Sequence, residues 1–68
     1  MTNLEKLGER VRELRRAKGW SQKKLAHECG MDPGTIYCIE NAKRKRRPHP
    51  FTLDMLGQKL EEDLLRLL

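Results

Sequence analysis

Residues 21–40, SQKKLAHECGMDPGTIYCIE, decide the fold because they predict two short helices joined by a tight turn. Ser21 is a good N-cap residue, and the helix of about eight residues that follows it ends at Gly30. Asp32 and Pro33 begin the next helix as an N-cap residue and a proline at the first helical position, where the missing N–H leaves no hydrogen bond unmade. We therefore expect two short helices, the second with small and polar residues on its outward face.

An amphipathic helix is predicted upstream of this pair, over residues 4–17. Its apolar residues recur three or four positions apart, so they share one face of the helix. Gly8 lies within it and is expected to weaken it by about 1 kcal/mol relative to alanine. The apolar face consists of Leu4, Leu7, Val11 and Leu14.

A fourth helix is predicted after Pro50, and together the helices indicate an all-α domain. No segment alternates apolar and polar residues as a strand would. We predict one domain over residues 1–68, a bundle of four to five helices. Trp20, Phe51 and Cys29 are expected in its core. The apolar stripe of the fourth helix consists of Phe51, Leu53, Leu56, Leu60 and Leu64.

The last nine residues, LEEDLLRLL, contain no helix breaker and leave two alternatives open. Either the fourth helix runs to the end of the chain, or Asp63 and its neighbours cap a final turn. The leucines cover more than one stripe, so one chain is not expected to bury them all, and we predict that they join two copies of it. The predicted dimer residues are Leu64, Leu65, Leu67 and Leu68.

The positive charge is concentrated in one short segment. Fifteen Lys and Arg against ten Asp and Glu give a net charge of +5, which points to a polyanionic partner. Residues 43–47 are all cations, so their charge equals that of the whole chain and the remainder sums to zero. This segment is either a grip on phosphate groups or only a solvated loop.

Several classes of protein and site are not expected. No apolar run is long enough to span a membrane, and the first residues lack the apolar segment of a secretory signal. Cys29 and Cys38 form no CxxC pair, so a reduced, cytoplasmic setting is expected, and with His27 and His49 they have the wrong spacing for zinc. No nucleophile with a base, carboxylate pair or glycine-rich phosphate loop is present, so we predict no enzyme, metal, cofactor or small-molecule ligand.

Two short helices with a tight turn are the arrangement of a helix-turn-helix, in which one helix crosses the DNA backbone and the next lies in the major groove. The sequence resembles the Cro and phage-repressor (XRE-type) helix-turn-helix family over about residues 7–60. The matching segments are Gly19-Trp20-Ser21-Gln22-Lys23-Lys24-Leu25-Ala26, Gly30-Met31, Thr35-Ile36, Ile39-Glu40-Asn41, Arg46-Arg47-Pro48 and Thr52-Leu53.

This resemblance implies a transcriptional regulator, such as a repressor, that binds double-stranded DNA as a homodimer. It implies that Gln22 holds a phosphate and braces the base-reading residues, and that Arg15 and Glu40 form a structural pair between the first helix and the end of the recognition helix, about residues 33–40. Asn41 and Lys43 would reach the DNA backbone. The predicted DNA-binding residues are Gln22, Asp32, Thr35, Tyr37, Cys38, Asn41, Lys43, Arg44, Lys45, Arg46 and Arg47.

Two departures from the family limit direct base reading. Pro33 has no donor and Gly34 has no side chain, although family members contact bases from these positions. Cys38 offers at most contact with a thymine methyl group. Asp32 can accept a hydrogen bond from cytosine or cap its helix, and Tyr37 fits either a DNA contact or packing. We therefore expect modest direct readout, aided by DNA shape or by arginines of the cationic segment that enter a groove.

Two other functions remain as alternatives. In the first, the chain is an interaction module, antitoxin-like or an accessory subunit, whose leucine-rich C-terminus docks a partner protein. In the second, it binds single-stranded RNA, but one Trp, one Tyr and one Phe supply few stacking surfaces for bases.

Overall fold

The described residues form five helical segments in succession. The computed structural model describes residues 2–43 and 48–67. Within these ranges there is no strand, and the predicted all-α class is confirmed. The helices are α1 (Asn3–Ala17), α2 (Gln22–Cys29), α3 (Pro33–Glu40), α4 (Pro50–Leu60) and a short 3₁₀ helix (Leu64–Leu67).

Side-chain caps begin α1 and α2 where the sequence provides them. The Thr2 hydroxyl accepts a hydrogen bond from the Glu5 N–H, and the Glu5 carboxylate accepts one from the Thr2 N–H, which completes a capping box. The Ser21 hydroxyl accepts from the Lys24 N–H at 3.0 Å, as predicted. Each cap satisfies backbone donors that the helix itself leaves without a partner.

The cap of α3 differs from expectation, and the cap of α4 was not indicated by the sequence. Asp32 occupies the N-cap position of α3, but its side chain makes no cap hydrogen bond. The Thr35 N–H is the donor that this side chain was expected to bind. It donates instead to the Asp32 main-chain carbonyl, at 2.9 Å. At α4 the cap is His49, whose Nδ1 accepts from the Phe51 N–H at 3.1 Å, with Pro50 at the first helical position.

All four helices and the 3₁₀ helix contribute to one apolar core. Trp20 lies partly buried against this core, and Cys29 is inside it, as predicted. Burying a Leu, Ile or Val side chain fully contributes about 1.5–3 kcal/mol relative to leaving it exposed. The core residues are Leu7, Val11, Leu25, Ala26, Cys29, Ile36, Leu53, Leu56, Leu60 and Leu64.

Phe51 does not join the core, and that prediction was wrong. Its side chain is 65% exposed. An α-helix turns by about 100° per residue, so Phe51, two positions before Leu53, lies about 200° away from it around the helix. The buried stripe of α4 therefore begins at Leu53 and continues through Leu56 and Leu60.

The chain end adopts a short separate helix, which settles the alternatives left open by the sequence. The α4 helix ends at Leu60 because Glu61 adopts a left-handed conformation, with φ of 60°. The Glu62 N–H then donates to the Gly57 carbonyl at 3.0 Å. A Cβ atom at Gly57 would lie 2.5 Å from the Glu62 carbonyl oxygen, so this tight reversal depends on glycine. Among residues 2–43 and 48–67, no helix has the length and apolarity to cross a membrane.

This reversal changes the predicted dimer surface. Leu64 is 1% exposed and packs in the core of its own chain, so it is not available to a second copy. Leu67 is half-buried against the same core, whereas Leu65 is 45% exposed. Leu68 lies outside the described residues. The exposed apolar surface of this segment therefore centres on Leu65.

Candidate nucleic-acid interface

Helix α3 is held against α1 by an unusually close backbone approach. A Cβ atom at Gly8 of α1 would lie 2.4 Å from the carbonyl oxygen of Ile39 and 2.6 Å from that of Glu40. Real side chains do not tolerate such distances to backbone atoms, so glycine at this position lets the two helices meet. The sequence had indicated Gly8 only as a weak point of α1.

A buried carboxylate lies at this junction. Glu40, at the end of α3, has a side chain with no solvent exposure, and Arg15 of α1 approaches it with Nε at 2.7 Å and Nη2 at 3.1 Å. The remaining Arg15 nitrogen donates to the Trp20 carbonyl at 2.7 Å. Arg15 therefore connects the carboxylate at the end of α3 to the chain that leads into α2.

Gln22 donates to the same carboxylate. Its Nε2 lies 3.2 Å from Glu40 Oε1, so the first residue of α2 is joined to the last residue of α3. Gln22 itself is half-buried. This contact was not anticipated, because the resemblance assigned Gln22 to a phosphate and to the base-reading residues.

Arg12 extends the network to the C-terminal side of α3. One of its nitrogens donates to the Glu40 main-chain carbonyl at 3.3 Å and to Asn41 Oδ1 at 3.0 Å. Its Nε also lies 3.5 Å from the Glu40 carboxylate. The Asn41 amide donates to the Tyr37 carbonyl at 2.9 Å, which closes the end of α3. Asn41, predicted to reach the DNA backbone, thus also caps its own helix.

The network keeps Glu40 ionised. Burial by itself raises the pKa of this carboxyl, but the hydrogen bonds from Arg15 and Gln22, together with the Arg15 charge, outweigh burial and lower the pKa below its ordinary value. In the described part of the chain, no buried side-chain nitrogen or oxygen lacks a hydrogen-bond partner. A buried charge with several donors is stable only when its partners are complete.

The outward face of α3 is accessible but poor in donors. Tyr37 is 48% exposed, and Thr35 and Cys38 are half-buried. Asp32 is exposed, and its carboxylate lies over Gly34, where a Cβ atom would be 3.3 Å from Oδ2. Thr35 and Tyr37 are therefore the hydroxyl groups that this face presents.

The predicted cationic segment is mostly beyond the described residues. Lys43 is exposed directly after α3, and Arg44, Lys45, Arg46 and Arg47 lie outside the described ranges. At the start of α2, Lys23 is exposed. Lys24 instead pairs with Glu28 at 2.9 Å, and its ammonium lies 5.9 Å from the Trp20 ring centre.

A second ion pair joins α1 to the chain end. Arg10 donates two hydrogen bonds to Glu62, each 2.6 Å long, and a third to Glu13 at 3.1 Å. The hydrogen bonds from Arg10 lower the pKa of Glu62, and they raise the pKa of the arginine itself. Unlike Glu40, Glu62 keeps 30% of its side chain exposed. Neither Arg10 nor Glu62 was singled out from the sequence, because they are 52 residues apart.

A family model described as a helix-turn-helix domain matches residues 6–67. The restriction-modification controller protein C.AhdI from Aeromonas hydrophila is 34% identical, with 96% of each chain covered and a TM-score of 0.80. The comparison with curated proteins gives no match.

Two further solved structures have the same fold. One is a complex of the SinR and SinI proteins, in which the matched chain is 26% identical, with 91% of this chain and 59% of that chain covered and a TM-score of 0.81. The other is SinR, a master regulator for biofilm formation, in complex with DNA. It is 24% identical, with 90% of this chain and 95% of that chain covered and a TM-score of 0.80, and it supports the fold alone.

Proposed function

This chain belongs to the helix-turn-helix domain family of the XRE type, and from that premise we propose that it is a transcriptional regulator that binds double-stranded DNA as a homodimer, not an enzyme. Helix α3 lies in the major groove, and α2 crosses the phosphate backbone. The chain is proposed to form one domain, residues 1–68, with its DNA-contacting residues at the start of α2, on α3 and in the segment 41–47 that follows α3. A cytoplasmic location, where DNA is accessible, belongs to the same proposal.

The observation that carries this proposal is the polar junction that fixes α3. The Glu40 carboxylate accepts hydrogen bonds from Arg15 of α1 and Gln22 of α2, so it holds α3 at a set angle to the helix before it. Recognition of a groove requires such a rigid frame because base contacts depend on position within a fraction of an ångström. Thr35 and Tyr37 are the side chains that we assign to base edges.

The cations of residues 43–47 supply the grip on phosphates in this proposal. Each phosphate contact makes log K fall by about 0.9 per unit of log salt concentration. Replacing Lys45, Arg46 and Arg47 by alanine is therefore expected to flatten the salt dependence of DNA binding. An unchanged slope would mean that the segment is only a solvated loop.

The homodimer is proposed to form through the 3₁₀ segment. Leu65 is 45% exposed beside the half-buried Leu67, on a segment held to α1 by the Arg10–Glu62 pair. Leu65→Lys should shift the protein from dimer to monomer in light scattering after gel filtration. Ala17→Lys at the exposed end of α1 adds the same single positive charge and should leave the dimer intact. A dimer that survives Leu65→Lys would refute this contact.

The similarity to C.AhdI favours one biological setting. That protein is a restriction-modification controller and is 34% identical over nearly the whole chain. We propose control of restriction-modification genes as the setting, and a DNA site within such a gene cluster is the expected target.

A second candidate function is docking of a partner protein through the C-terminal segment. It is favoured by the exposed Leu65 and by the similarity to a chain in the SinR and SinI complex. It differs from the first in that the chain would show no preferred DNA sequence.

Selection of bound fragments from a random DNA pool at physiological salt separates the two candidates. A two-fold site whose halves lie about one helical turn apart, roughly 34–36 Å, supports the regulator. Recovery of no preferred sequence would refute it and favour partner docking.

A further inference from the structure

The Glu40 carboxylate is linked by hydrogen bonds to residues that precede and follow α3. Glu40 Oε1 accepts from Gln22 at the start of α2, and Arg12 links the same glutamate to Asn41 after α3. Gln22 and Asn41 are both assigned to the DNA backbone, and they lie before and after α3 in the chain. Among the described residues, Glu40 is the one buried polar or charged residue, so the hydrogen bonds of this junction converge on it.

We propose that Glu40 is a positioning residue for DNA binding, which acts by fixing the side-chain amide of Gln22 before DNA arrives. The inference rests on the proposed function and names how its site is prepared. Glu40 touches no DNA in this account. Its effect on binding passes through Gln22 on one side and through Arg12 and Asn41 on the other.

The chemistry of the two groups sets the direction of the amide. An ionised carboxylate only accepts hydrogen bonds, so it must face the NH₂ of Gln22 and not the amide oxygen. The low pKa of Glu40 keeps it in this accepting form at neutral pH. Because the amide is planar, one N–H bound to Glu40 fixes the direction of the other N–H, which is then available to a phosphate oxygen.

Burial makes this orientation persistent. The Glu40 side chain has no solvent exposure, and Arg15, which holds it from the other side, is 11% exposed. An exposed glutamine such as Gln58, whose amide donates to Asp54 at 3.0 Å on the surface of α4, competes with water for its partner. Gln22 faces a partner that water does not reach, so less rotational freedom is left to lose when DNA binds.

The first test measures the Gln22 amide in the free wild-type protein by NMR relaxation. We expect an order parameter near that of rigid backbone, roughly 0.85, for Gln22 and a value below about 0.6 for Gln58, the matched control. Equal mobility of the two amides would overturn the proposal. This measurement needs no variant, so it stands even if substitutions at residue 40 prevent folding.

The second test is a double-mutant cycle on the dissociation constant for the selected DNA site. Gln22→Ala should weaken binding about tenfold in the wild type, as expected for a hydrogen bond to a charged group. In a Glu40→Gln background, an NH₂ group replaces one carboxylate oxygen, so one acceptor is missing. There Gln22→Ala should weaken DNA binding much less. Effects that multiply instead would overturn the proposal.

The control cycle replaces Gln22→Ala by Lys23→Ala. Lys23 is exposed, and the side chains that donate to the Glu40 carboxylate are those of Arg12, Arg15 and Gln22, so the effect of Lys23→Ala should be the same in both backgrounds. Specific binding by the wild type is established first. Its absence would refute the proposed function, whereas multiplicative effects with specific binding intact would refute only the role of Glu40.

Discussion

Two arginine–glutamate pairs join α1 to later parts of the chain, and they differ in burial much more than in distance. Arg10 and Glu62 approach to 2.6 Å but keep 41% and 30% of their side chains exposed. Arg15 and Glu40 approach to 2.7 Å with 11% and 0% exposed. Water screens the first pair and not the second, so the shorter contact is expected to matter less for folding stability.

The two junctions to which these pairs belong also differ in chemistry. The α1–α3 junction is a polar network that positions the proposed DNA-contacting helix. The α4–3₁₀ junction is apolar, with Leu60 and Leu64 in the core and the ion pair at its edge. The polar junction fixes the orientation of α3 through directional hydrogen bonds, whereas the apolar junction holds the 3₁₀ helix in place mainly by burial of leucine side chains.

Glu40→Ala should give the largest loss of stability. It leaves the Arg15 guanidinium buried without its carboxylate, and breaking a buried pair in this way costs about 3–5 kcal/mol of unfolding free energy. Urea unfolding of the variant measures the loss. A change below about 1 kcal/mol would show that the pair is screened like a surface pair.

Gly8→Ala should rank second. Its Cβ atom would meet the Ile39 carbonyl oxygen at 2.4 Å, and α1 and α3 must separate to admit it. Overpacking of this kind costs about 1–3 kcal/mol, which outweighs the better helix propensity of alanine. The loss is measured by a thermal melt. The control is Ala17→Gly, which exchanges the same two residue types at the exposed end of α1. A Gly8→Ala protein more stable than the wild type would disprove the close contact.

Acid should weaken both junctions in the same pH range. The pKa values of Glu40 and Glu62 are both lower in the folded protein than in the unfolded chain. Their contributions are therefore fully present above the unfolded value, about 4.3, and are lost as pH falls through the folded values. The melting temperature is measured from pH 7 down to pH 3, and it should decrease once the pH is lower than about 4.5. A flat profile there would contradict the lowered pKa values.

Glu62→Gln should lower the free energy of unfolding only slightly, far less than Glu40→Ala does, because its pair with Arg10 is partly exposed. The loss should shrink further in 1 M salt, where charges are screened over about 3 Å. Chemical unfolding by urea at low and high salt measures both values. A loss as large as that of Glu40→Ala would break the distinction between the two pairs.

The smallest change is expected from Ala42→Gly. Ala42 adopts a φ of 50° after α3, and Glu61 adopts 60° after α4, both in the left-handed region that favours glycine. Relief of this strain is offset by the greater freedom of glycine in the unfolded chain, so the net gain should be at most about 1 kcal/mol. A loss of melting temperature in Ala42→Gly would show that the strain at Ala42 is smaller than the entropic cost of glycine.

Local signals predicted most of the fold. Ser21 and Gly30 bound α2, and Pro33 and Pro50 begin their helices, because caps and prolines act within a few residues of the chain. The prediction for Phe51 was wrong because a helical stripe must be followed by angle and not only by spacing.

Contacts between distant segments explain what the sequence did not indicate. The role of Gly8 depends on Ile39 and Glu40, which are more than thirty residues away, and the Arg10–Glu62 pair spans 52. The Gln22–Glu40 bond likewise requires the angle between α2 and α3, which no local pattern encodes. Arg15 and Glu40, in contrast, were assigned through a family resemblance that already contains this geometry, and the structure places them 2.7 Å apart.

The central claim, that a rigid α3 reads DNA sequence, is tested most directly by one ratio. The dissociation constant is measured for the site recovered by selection and for a scrambled site of the same length, both at the same salt concentration. The account predicts that the selected site binds at least about 10³-fold more tightly. A ratio near one would mean that charge alone binds this protein to DNA and would contradict the account.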